Sequence, residues 1–191
     1  MSTTRKRLAV LLSGRGSNMA AILDATRDPA YPAEIALVIS DHENAGGLET
    51  ALEADIPAFG FERQDYPTKD AHEKAIIQAL LDHDIDLICL AGYMRLLSAE
   101  FTSRFPGRLI NIHPSLLPLY KGLDTHARAL AAGDREHGCT VHYVNAEMDG
   151  GEIIAQARVQ VHEGDTAETL AARVLVEEHK LYPQVVRKLC S

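Results

Sequence analysis

An apolar run and a glycine-rich turn stand near the start of the chain, in Leu8-Ala-Val-Leu-Leu-Ser-Gly-Arg-Gly-Ser-Asn18. The apolar half has the length of a buried strand, and the glycines permit a tight turn into a helix that begins at Asn18. A buried strand that turns into a helix in this way is typical of α/β proteins, in which helices cover a parallel sheet. The following segments are therefore expected to alternate between strand and helix.

The first half of the sequence shows this alternation. Strands are predicted at 8–13, 34–40, 57–61 and 86–91, and helices at 18–26, 45–54 and 68–82. The third helix is predicted to bury Ile76, Ile77, Leu80 and Leu81 on one face. The pattern predicts a doubly wound, mostly parallel α/β sheet with helices on both faces.

The second half departs from the alternation. A strand at 109–112 is followed by a proline-containing loop at 113–122 and by a helix at 125–132 that Gly133 ends. Two strands, 138–144 and 153–161, are joined by the loop 145–151, and apolar and polar residues alternate in the second, which predicts a half-buried, antiparallel strand. Asp165 and Glu168 are spaced as at the start of a last helix, which runs to about Leu189. No linker or repeat interrupts the sequence, so one domain, 1–191, is expected.

Composition and charge narrow the class of protein. The 191 residues are 46% hydrophobic and 24% charged, as in an ordinary soluble globular protein. A net charge of -8 argues against a nucleic-acid partner, and the apolar run ending at Leu12 is too short to span a membrane. The spacing of Cys89, Cys139 and Cys190 matches no zinc site. We therefore expect a cytoplasmic protein that binds small molecules, with no metal and neither a nucleic acid nor a membrane as partner.

The glycine-rich turn is a candidate phosphate site. A helix N-terminus offers free N–H groups to an anion, and Gly16, Ser17 and Asn18 stand where they would contact it. The turn lacks the Gly-Lys-Ser/Thr of a Walker loop, and Met19 replaces the third glycine of a dinucleotide fingerprint. The alternative is a structural turn in which Ser17 or Asn18 caps the helix.

A second candidate site begins at Asn111. Asn111 and His113 are two residues apart at the end of a predicted strand, so their side chains project to the same side. Pro114 keeps His113 extended. An amide can stabilise an oxyanion and an imidazole can exchange a proton, which suits acyl transfer. The alternative is a structural asparagine beside a hydrogen-bonded core histidine.

The segment Asp149-Gly-Gly151 can supply a carboxylate to that histidine. A carboxylate on a glycine-rich turn can approach an imidazole closely and hold it protonated. Asp-Gly is also the usual signal of a hairpin turn, and on its own the segment favours that structural alternative.

Taken together, six motifs resemble the phosphoribosylglycinamide formyltransferase family within the folate-dependent formyltransferases. The motifs are Ser13-Gly-Arg-Gly-Ser-Asn18, Leu90-Ala-Gly-Tyr-Met-Arg-Leu-Leu-Ser98, Asn111-Ile-His-Pro-Ser-Leu-Leu-Pro118, His137-Gly-Cys-Thr-Val-His142, Glu147-Met-Asp-Gly-Gly151, and Glu178-His179 before Tyr182-Pro183. The resemblance runs from Leu8 to about Pro183. It implies transfer of a formyl group from 10-formyltetrahydrofolate to the amine of N1-(5-phosphoribosyl)glycinamide in de novo purine biosynthesis.

The resemblance also implies roles for individual residues. The catalytic residues would be Asn111, His113 and Asp149; the phosphoribosylglycinamide site would comprise Gly16, Ser17, Asn18 and Glu178; and the folate site would comprise Lys69, Met94, Arg95, Leu96, Leu97, Asn111, Asn145, Glu147 and Asp149. The N-terminal half would then bind phosphate, and the C-terminal half would bind folate and carry the chemistry. A monomer or a homodimer is expected.

The sequence departs from the family pattern at three positions. Lys69 stands where relatives often have arginine, which keeps the charge but loses the bidentate fork. Leu119 and Asp124 stand where relatives commonly have lysine and histidine, so Asp124 is not assigned a catalytic role, and His126 is expected to be structural.

Two other functions are compatible with these patterns. In a formyltetrahydrofolate hydrolase, water would replace the amine as acceptor. A non-catalytic phosphosugar-binding module would use the glycine turn alone, but it leaves the segments around His113 and Asp149 unexplained.

Overall fold

The protein is described by a computed structural model that covers residues 5–191, so the first four residues of the expected domain lie outside the described residues. The elements are β1 (Lys6–Leu12), α1 (Ser17–Thr26), β2 (Ala33–Ser40), α2 (Gly46–Glu53), β3 (Ala58–Gly60), a 3₁₀ turn (Arg63–Asp65), α3 (Lys69–Asp82), β4 (Leu87–Leu90), α4 (Ala99–Arg104), β5 (Leu109–His113), α5 (Thr125–Ala132), β6 (Glu136–Tyr143), β7 (Ile153–Gln160) and α6 (Ala167–Cys190). The short helix α4 and the 3₁₀ turn were not predicted, because each is too short to show a hydrophobic period.

Within residues 5–191, seven strands form one sheet in the order β3-β2-β1-β4-β5-β6-β7. The strands from β3 to β5 pair in parallel, whereas β6 is antiparallel to both β5 and β7. The predicted fold class is confirmed, including the antiparallel strand in the second half. The strand order reverses between β1 and β4, and ligands of open α/β sheets bind at the carboxyl ends of the strands beside such a reversal.

Both faces of the sheet are buried along its central strands, as the apolar strands require. Along β1, Leu8, Val10 and Leu12 pack into the core on one face with residues of α1, α2 and α6, while Ala9 and Leu11 pack on the other face with α3 and α4. A strand alternates its side chains between two faces, so an apolar run such as β1 needs a helical layer on each.

Three details of the helices differ from the predictions. Leu81 is 46% exposed, because it lies roughly 140° around α3 from the buried Ile76 at 100° per residue. Gly16, rather than the side chain of Ser17 or Asn18, occupies the N-cap of α1. Thr166 and Thr169 form the capping box of α6, while the predicted Asp165 instead pairs with Arg173 at 2.8 Å.

The described residues also bear on membranes and metals. No helix between residues 5 and 191 is long and apolar enough to cross a membrane. Over the same residues, no group of three or more His, Cys, Asp or Glu side chains is placed to hold a metal ion.

Candidate active site

A cavity of about 600 Å³ lies at the carboxyl ends of β4 and β5. Of the residues predicted to form a site, it is lined by Asn18, Met94, Arg95, Leu96, Leu97, Asn111, His113, Asn145, Glu147, Asp149 and Glu178. These residues come from both halves of the chain and from five separate segments. Gly16, Ser17 and Lys69 do not line this cavity.

Asn111 is oriented by His142, which faces it across β5 and β6. The two residues are cross-strand partners, and Asn111 Nδ2 lies 3.2 Å from His142 Nε2. His142 Nδ1 lies 2.8 Å from the carbonyl oxygen of Tyr143, so Nδ1 carries the hydrogen and Nε2 accepts from the amide. Burial lowers the pKa of His142, which favours this neutral form. One amide hydrogen of Asn111 is thereby used, and the other is left for a ligand.

His142 is a site residue that the sequence did not single out. It belongs to the motif 137–142, but its role depends on the pairing of β5 with β6, which the motif does not reveal. Its Nε2 also lies 3.7 Å from Asp149 Oδ1. His142 therefore stands between Asn111 and Asp149.

His113 lies at the end of β5 and is buried. Its Nε2 is 2.9 Å from the carbonyl oxygen of Tyr120, and its Nδ1 is 3.5 Å from Asp149 Oδ2. A carbonyl can only accept, so Nε2 carries a hydrogen. Nδ1 is therefore the ring nitrogen that is available to exchange a proton.

Asp149 is held on a tight turn between β6 and β7. Its backbone has φ of 48°, and its Oδ2 accepts a hydrogen bond of 2.9 Å from the N–H of Gly122. At Gly151 a Cβ atom would lie 1.7 Å from the carbonyl oxygen of Tyr143, so only glycine fits there. The carboxylate thus faces His113 on one side and His142 on the other.

The glycine turn leads into α1 through Gly16. Gly16 has φ of 75°, and a Cβ atom at this position would lie 2.9 Å from the Cα of Gly47. The first N–H groups of α1 have no carbonyl partners within the helix, as at any helix start. Ser17 is exposed beside them, so the turn is open to an anion.

Asn18 and Glu178 join the glycine turn to the last helix inside the cavity. Asn18 Nδ2 donates to Glu178 Oε2 at 2.8 Å, and Asn18 Oδ1 is buried without a hydrogen-bond partner in the described part of the chain. Burial raises the pKa of Glu178, while the hydrogen bond from Asn18 opposes that rise. The unpartnered Oδ1 of Asn18 and the buried carboxyl group of Glu178 can accept hydrogen bonds from a polar ligand.

The segment after β4 forms another wall. Met94 is 67% exposed, whereas Leu97 is buried. The side chain of Arg95 pairs with the buried Asp41 at 2.7 Å. The N–H of Met94 donates to the hydroxyl of Ser13 at 2.9 Å, which links this wall to the glycine turn.

Lys69 lies in a second, smaller cavity of about 190 Å³ that shares Tyr93, Arg95 and Leu96 with the first. Arg63 also lines it, so three cationic side chains surround the space. Lys69 Nζ lies 3.6 Å from Glu73 Oε1. Lys69 therefore occupies a place where an anionic group could bind, outside the main cavity.

Two of the three departures, Leu119 and Asp124, lie in the loop before α5. Asp124 is the N-cap residue of α5 with φ of 56°, lines the main cavity and makes no side-chain cap. His126 also lines the cavity, and its Nδ1 lies 3.1 Å from Nε2 of the buried His137. Burial lowers the pKa of both histidines, to about 4 for His137.

The fold agrees with the comparisons with known proteins. Residues 6–186 match the family model described as formyl transferase, and the chain belongs to that family. Within the family it is similar to phosphoribosylglycinamide formyltransferase from Haemophilus influenzae, with 47% identity over 95% of this chain and 86% of the relative.

Two further relatives extend the comparison. The crystal structure of phosphoribosylglycinamide formyltransferase from Brucella melitensis is 54% identical with a TM-score of 0.95, over 98% of this chain and 97% of that one. The trifunctional purine biosynthetic protein adenosine-3 of Drosophila pseudoobscura pseudoobscura is 46% identical over 100% of this chain, which spans 14% of that longer protein.

Proposed function

We propose that this chain transfers a formyl group from 10-formyltetrahydrofolate to the amine of N1-(5-phosphoribosyl)glycinamide, a step of de novo purine biosynthesis. The observation that carries the proposal is the convergence of Asn111, His113 and Asp149 on one cavity that also reaches Asn18 and Glu178. An amide donor, an imidazole and a carboxylate form a set suited to acyl transfer. The names of the relatives support the acceptor and the transferred formyl group, and the family resemblance implies the folate donor.

His113 and Asn111 act on the formyl oxygen. Attack of the amine on the formyl carbon forms a C–N bond and places negative charge on that oxygen. The free amide hydrogen of Asn111 and the Nδ1 hydrogen of protonated His113 stabilise the oxyanion. The carboxylate of Asp149, whose Oδ2 lies 3.5 Å from Nδ1, is placed to stabilise the positive charge of that imidazolium.

The tetrahedral intermediate then collapses without a covalent enzyme intermediate. The bond between the formyl carbon and N10 of the folate breaks, and its electron pair remains on N10. The attacking amine loses one proton and N10 gains one, with His113, Asp149 and water as the relay. The products are the formylated amine and tetrahydrofolate.

The acceptor would bind at the junction of the glycine turn and α6. Gly16, Ser17 and Asn18 would hold the phosphate with the N–H groups at the start of α1. Glu178 would contact the ribose or the glycinamide group. Because Asn18 and Glu178 already line the main cavity, the phosphate end and the reacting amine would span one continuous site.

The donor would bind against the opposite walls. The backbone at Met94, Arg95, Leu96 and Leu97 would read the pterin ring, and the loop with Asn145, Glu147 and Asp149 would close over it. Lys69, with Arg63 and Arg95 around the smaller cavity, would face the acidic tail of the folate.

We propose a single domain whose N-terminal half binds phosphate and whose C-terminal half binds folate and carries the chemistry. Its partners would be small molecules, its location the cytoplasm, and its state a monomer or homodimer, which analytical ultracentrifugation distinguishes.

A transfer assay tests the proposal. The protein is mixed with 10-formyltetrahydrofolate with and without phosphoribosylglycinamide, and formylated product and formate are both measured. Product that depends on the amine is expected. Formate release without the amine would indicate a hydrolase, and phosphosugar binding without folate affinity would indicate a binding module.

Two variants test the assigned chemistry. Asn111→Ala and Asp149→Asn are each expected to lower kcat by about a hundredfold or more, because an oxyanion donor or its support is lost. Asp84→Asn is the matched control: Asp84 is exposed and has φ of 50°, close to the 48° of Asp149. Near-normal kcat in both site variants would contradict the assignment.

A further inference from the structure

The loop between β5 and α5 touches both His113 and Asp149 through its backbone. The carbonyl of Tyr120 accepts from His113 Nε2 at 2.9 Å, and the N–H of Gly122 donates to Asp149 Oδ2 at 2.9 Å. Two backbone groups only two residues apart therefore orient an imidazole and a carboxylate from separate segments. Their positions depend on the conformation of this loop.

That conformation is unfavourable for the loop's own sequence. Tyr120 has φ of 54° and Gly122 has φ of 80°. The left-handed region suits glycine, but a tyrosine adopts it only when surrounding contacts hold it there. Contacts from outside the loop are therefore required to keep the Tyr120 carbonyl aimed at His113.

The first such contact is a hydrogen bond from the side chain of Tyr120. Its hydroxyl donates to Asp134 Oδ2 at 2.5 Å. Asp134 follows the end of α5, and its own N–H donates to the carbonyl of Ala129 at 3.2 Å. The tyrosine is thus tied to the C-terminal end of α5.

The second contact is made by Arg128 on α5. Its Nη1 donates to the carbonyls of Lys121 at 2.7 Å and of Leu123 at 3.2 Å, the two residues that flank Gly122. Its guanidinium also lies 5.3 Å from the ring centre of Tyr120. One side chain therefore holds the backbone on both sides of Gly122 and covers the tyrosine ring.

We propose that Arg128 and Asp134 are positioning residues for the formyl transfer. Neither lines the cavity. Asp134 fixes Tyr120, whose carbonyl keeps the hydrogen of His113 on Nε2 and leaves Nδ1 for proton exchange. Arg128 fixes the backbone around Gly122, whose N–H orients Asp149. The inference rests on the proposed function, because it assigns these residues to the same chemistry.

The kinetics of four variants test the positioning role of Arg128 and Asp134. Arg128→Met and Asp134→Ala are each expected to lower kcat about tenfold with little change in KM for either substrate, because misplaced reacting groups slow the chemical step. Asp134→Asn keeps an oxygen that accepts from Tyr120, so it is expected to restore most of the activity. Arg135→Met is the control, since Arg135 is exposed and its side chain forms no ion pair within residues 5–191.

Nitrogen-15 NMR of His113 separates positioning from a general loss of structure. In the neutral imidazole, the hydrogen is expected on Nε2 in the wild type and distributed between both nitrogens in Asp134→Ala. If Asp134→Ala fails to fold, Tyr120→Phe removes the same hydrogen bond and is expected to give the same kinetic and NMR result. Unchanged kcat and tautomer in these variants, or equal losses in Asp134→Asn and Asp134→Ala, would overturn the inference.

The failure of the proposed function gives a different result. His113→Asn is assayed in parallel: if it abolishes transfer while Arg128→Met and Asp134→Ala remain at wild-type kcat, only the inference fails. If the wild type itself forms no formylated product, the proposed function fails.

Discussion

At the scale of single residues, the hydrogen-bond partners define the chemistry more closely than the residue types do. Asn111 has a fixed orientation because His142 is a neutral acceptor, and His113 has a hydrogen on Nε2 because Tyr120 offers only a carbonyl. Both histidines are buried, so their partners are protein groups rather than exchanging water. In the proposed reaction the amide therefore keeps one hydrogen for the formyl oxygen, and the imidazole keeps Nδ1 for proton exchange.

His137 makes the stability of the fold depend on pH. Burial lowers its pKa from 6.5 to about 4, so the unfolded chain takes up a proton before the folded protein does. The stabilisation is complete above about pH 7 and is lost as the pH falls toward 4. By about pH 5 this one group is expected to remove roughly 2 kcal/mol from the free energy of unfolding.

Urea unfolding at about pH 7.5 and about pH 5 checks this expectation. From about pH 7.5 to about pH 5, the free energy of unfolding of His137→Gln should fall by roughly 2 kcal/mol less than that of the wild type. This difference does not depend on how stable the variant is at the higher pH. His162→Gln changes an exposed histidine and should leave the pH dependence as it is in the wild type. An equal loss in wild type and His137→Gln would contradict the prediction.

At the scale of elements, the turn between β1 and α1 combines a close approach with a left-handed backbone. Gly16 packs against Gly47 at the start of α2, and its φ of 75° sets the direction in which α1 leaves the sheet. The N–H groups that would hold the phosphate belong to the residues immediately after it. Packing and binding therefore depend on the same glycine.

Replacing Gly16 with alanine should affect both properties. The left-handed backbone and the contact with Gly47 are expected to lower the free energy of unfolding by about 1–3 kcal/mol, and KM for phosphoribosylglycinamide should rise. Gly14→Ala is the matched control, because a Cβ atom at Gly14 has no neighbour within 4 Å and the residue is not left-handed. Denaturant unfolding measures the free energy of unfolding, and steady-state kinetics measure KM. Equal effects of Gly16→Ala and Gly14→Ala on these two quantities would count against the role of Gly16.

At the scale of the whole molecule, α6 connects two neighbouring strands in the middle of the sheet, β4 and β5, to the site. Tyr182 is fully buried, and its hydroxyl donates to the carbonyls of Leu90 at 2.9 Å and Ile110 at 3.2 Å, one from each of two neighbouring strands. Glu178 lies one turn earlier on the same helix and faces the cavity. The position of α6 against the sheet therefore determines where the side chain of Glu178 lies in the cavity.

Tyr182→Phe tests this connection. Removing the hydroxyl leaves two buried carbonyls with a lost partner, so the free energy of unfolding is expected to fall by about 1–2 kcal/mol. Tyr66→Phe is the control, since the hydroxyl of Tyr66 has no hydrogen-bond partner among residues 5–191 and its loss should cost less than about 0.5 kcal/mol. Thermal and urea unfolding measure both variants; a similar small change in each would refute the prediction.

The amino-acid sequence determined the elements and their class. Apolar runs together with helix start and stop signals predicted every strand and every helix of eight or more residues among residues 5–191. The spacing of Asn111 and His113 placed both at the end of one strand, because strand geometry is local. Boundary details such as the cap of α6 were wrong because several neighbouring polar residues compete for one cap.

The tertiary structure alone decided which groups meet. His142 faces Asn111 through the register of β5 with β6, Asp149 reaches His113 from a turn in another segment, and Asn18 meets Glu178 across 160 residues. Local propensities do not encode these contacts, because each depends on sheet order, strand register and the packing of α6 at once. The family resemblance points to these residues except His142, but the orientation of each side chain follows only from its neighbours in space.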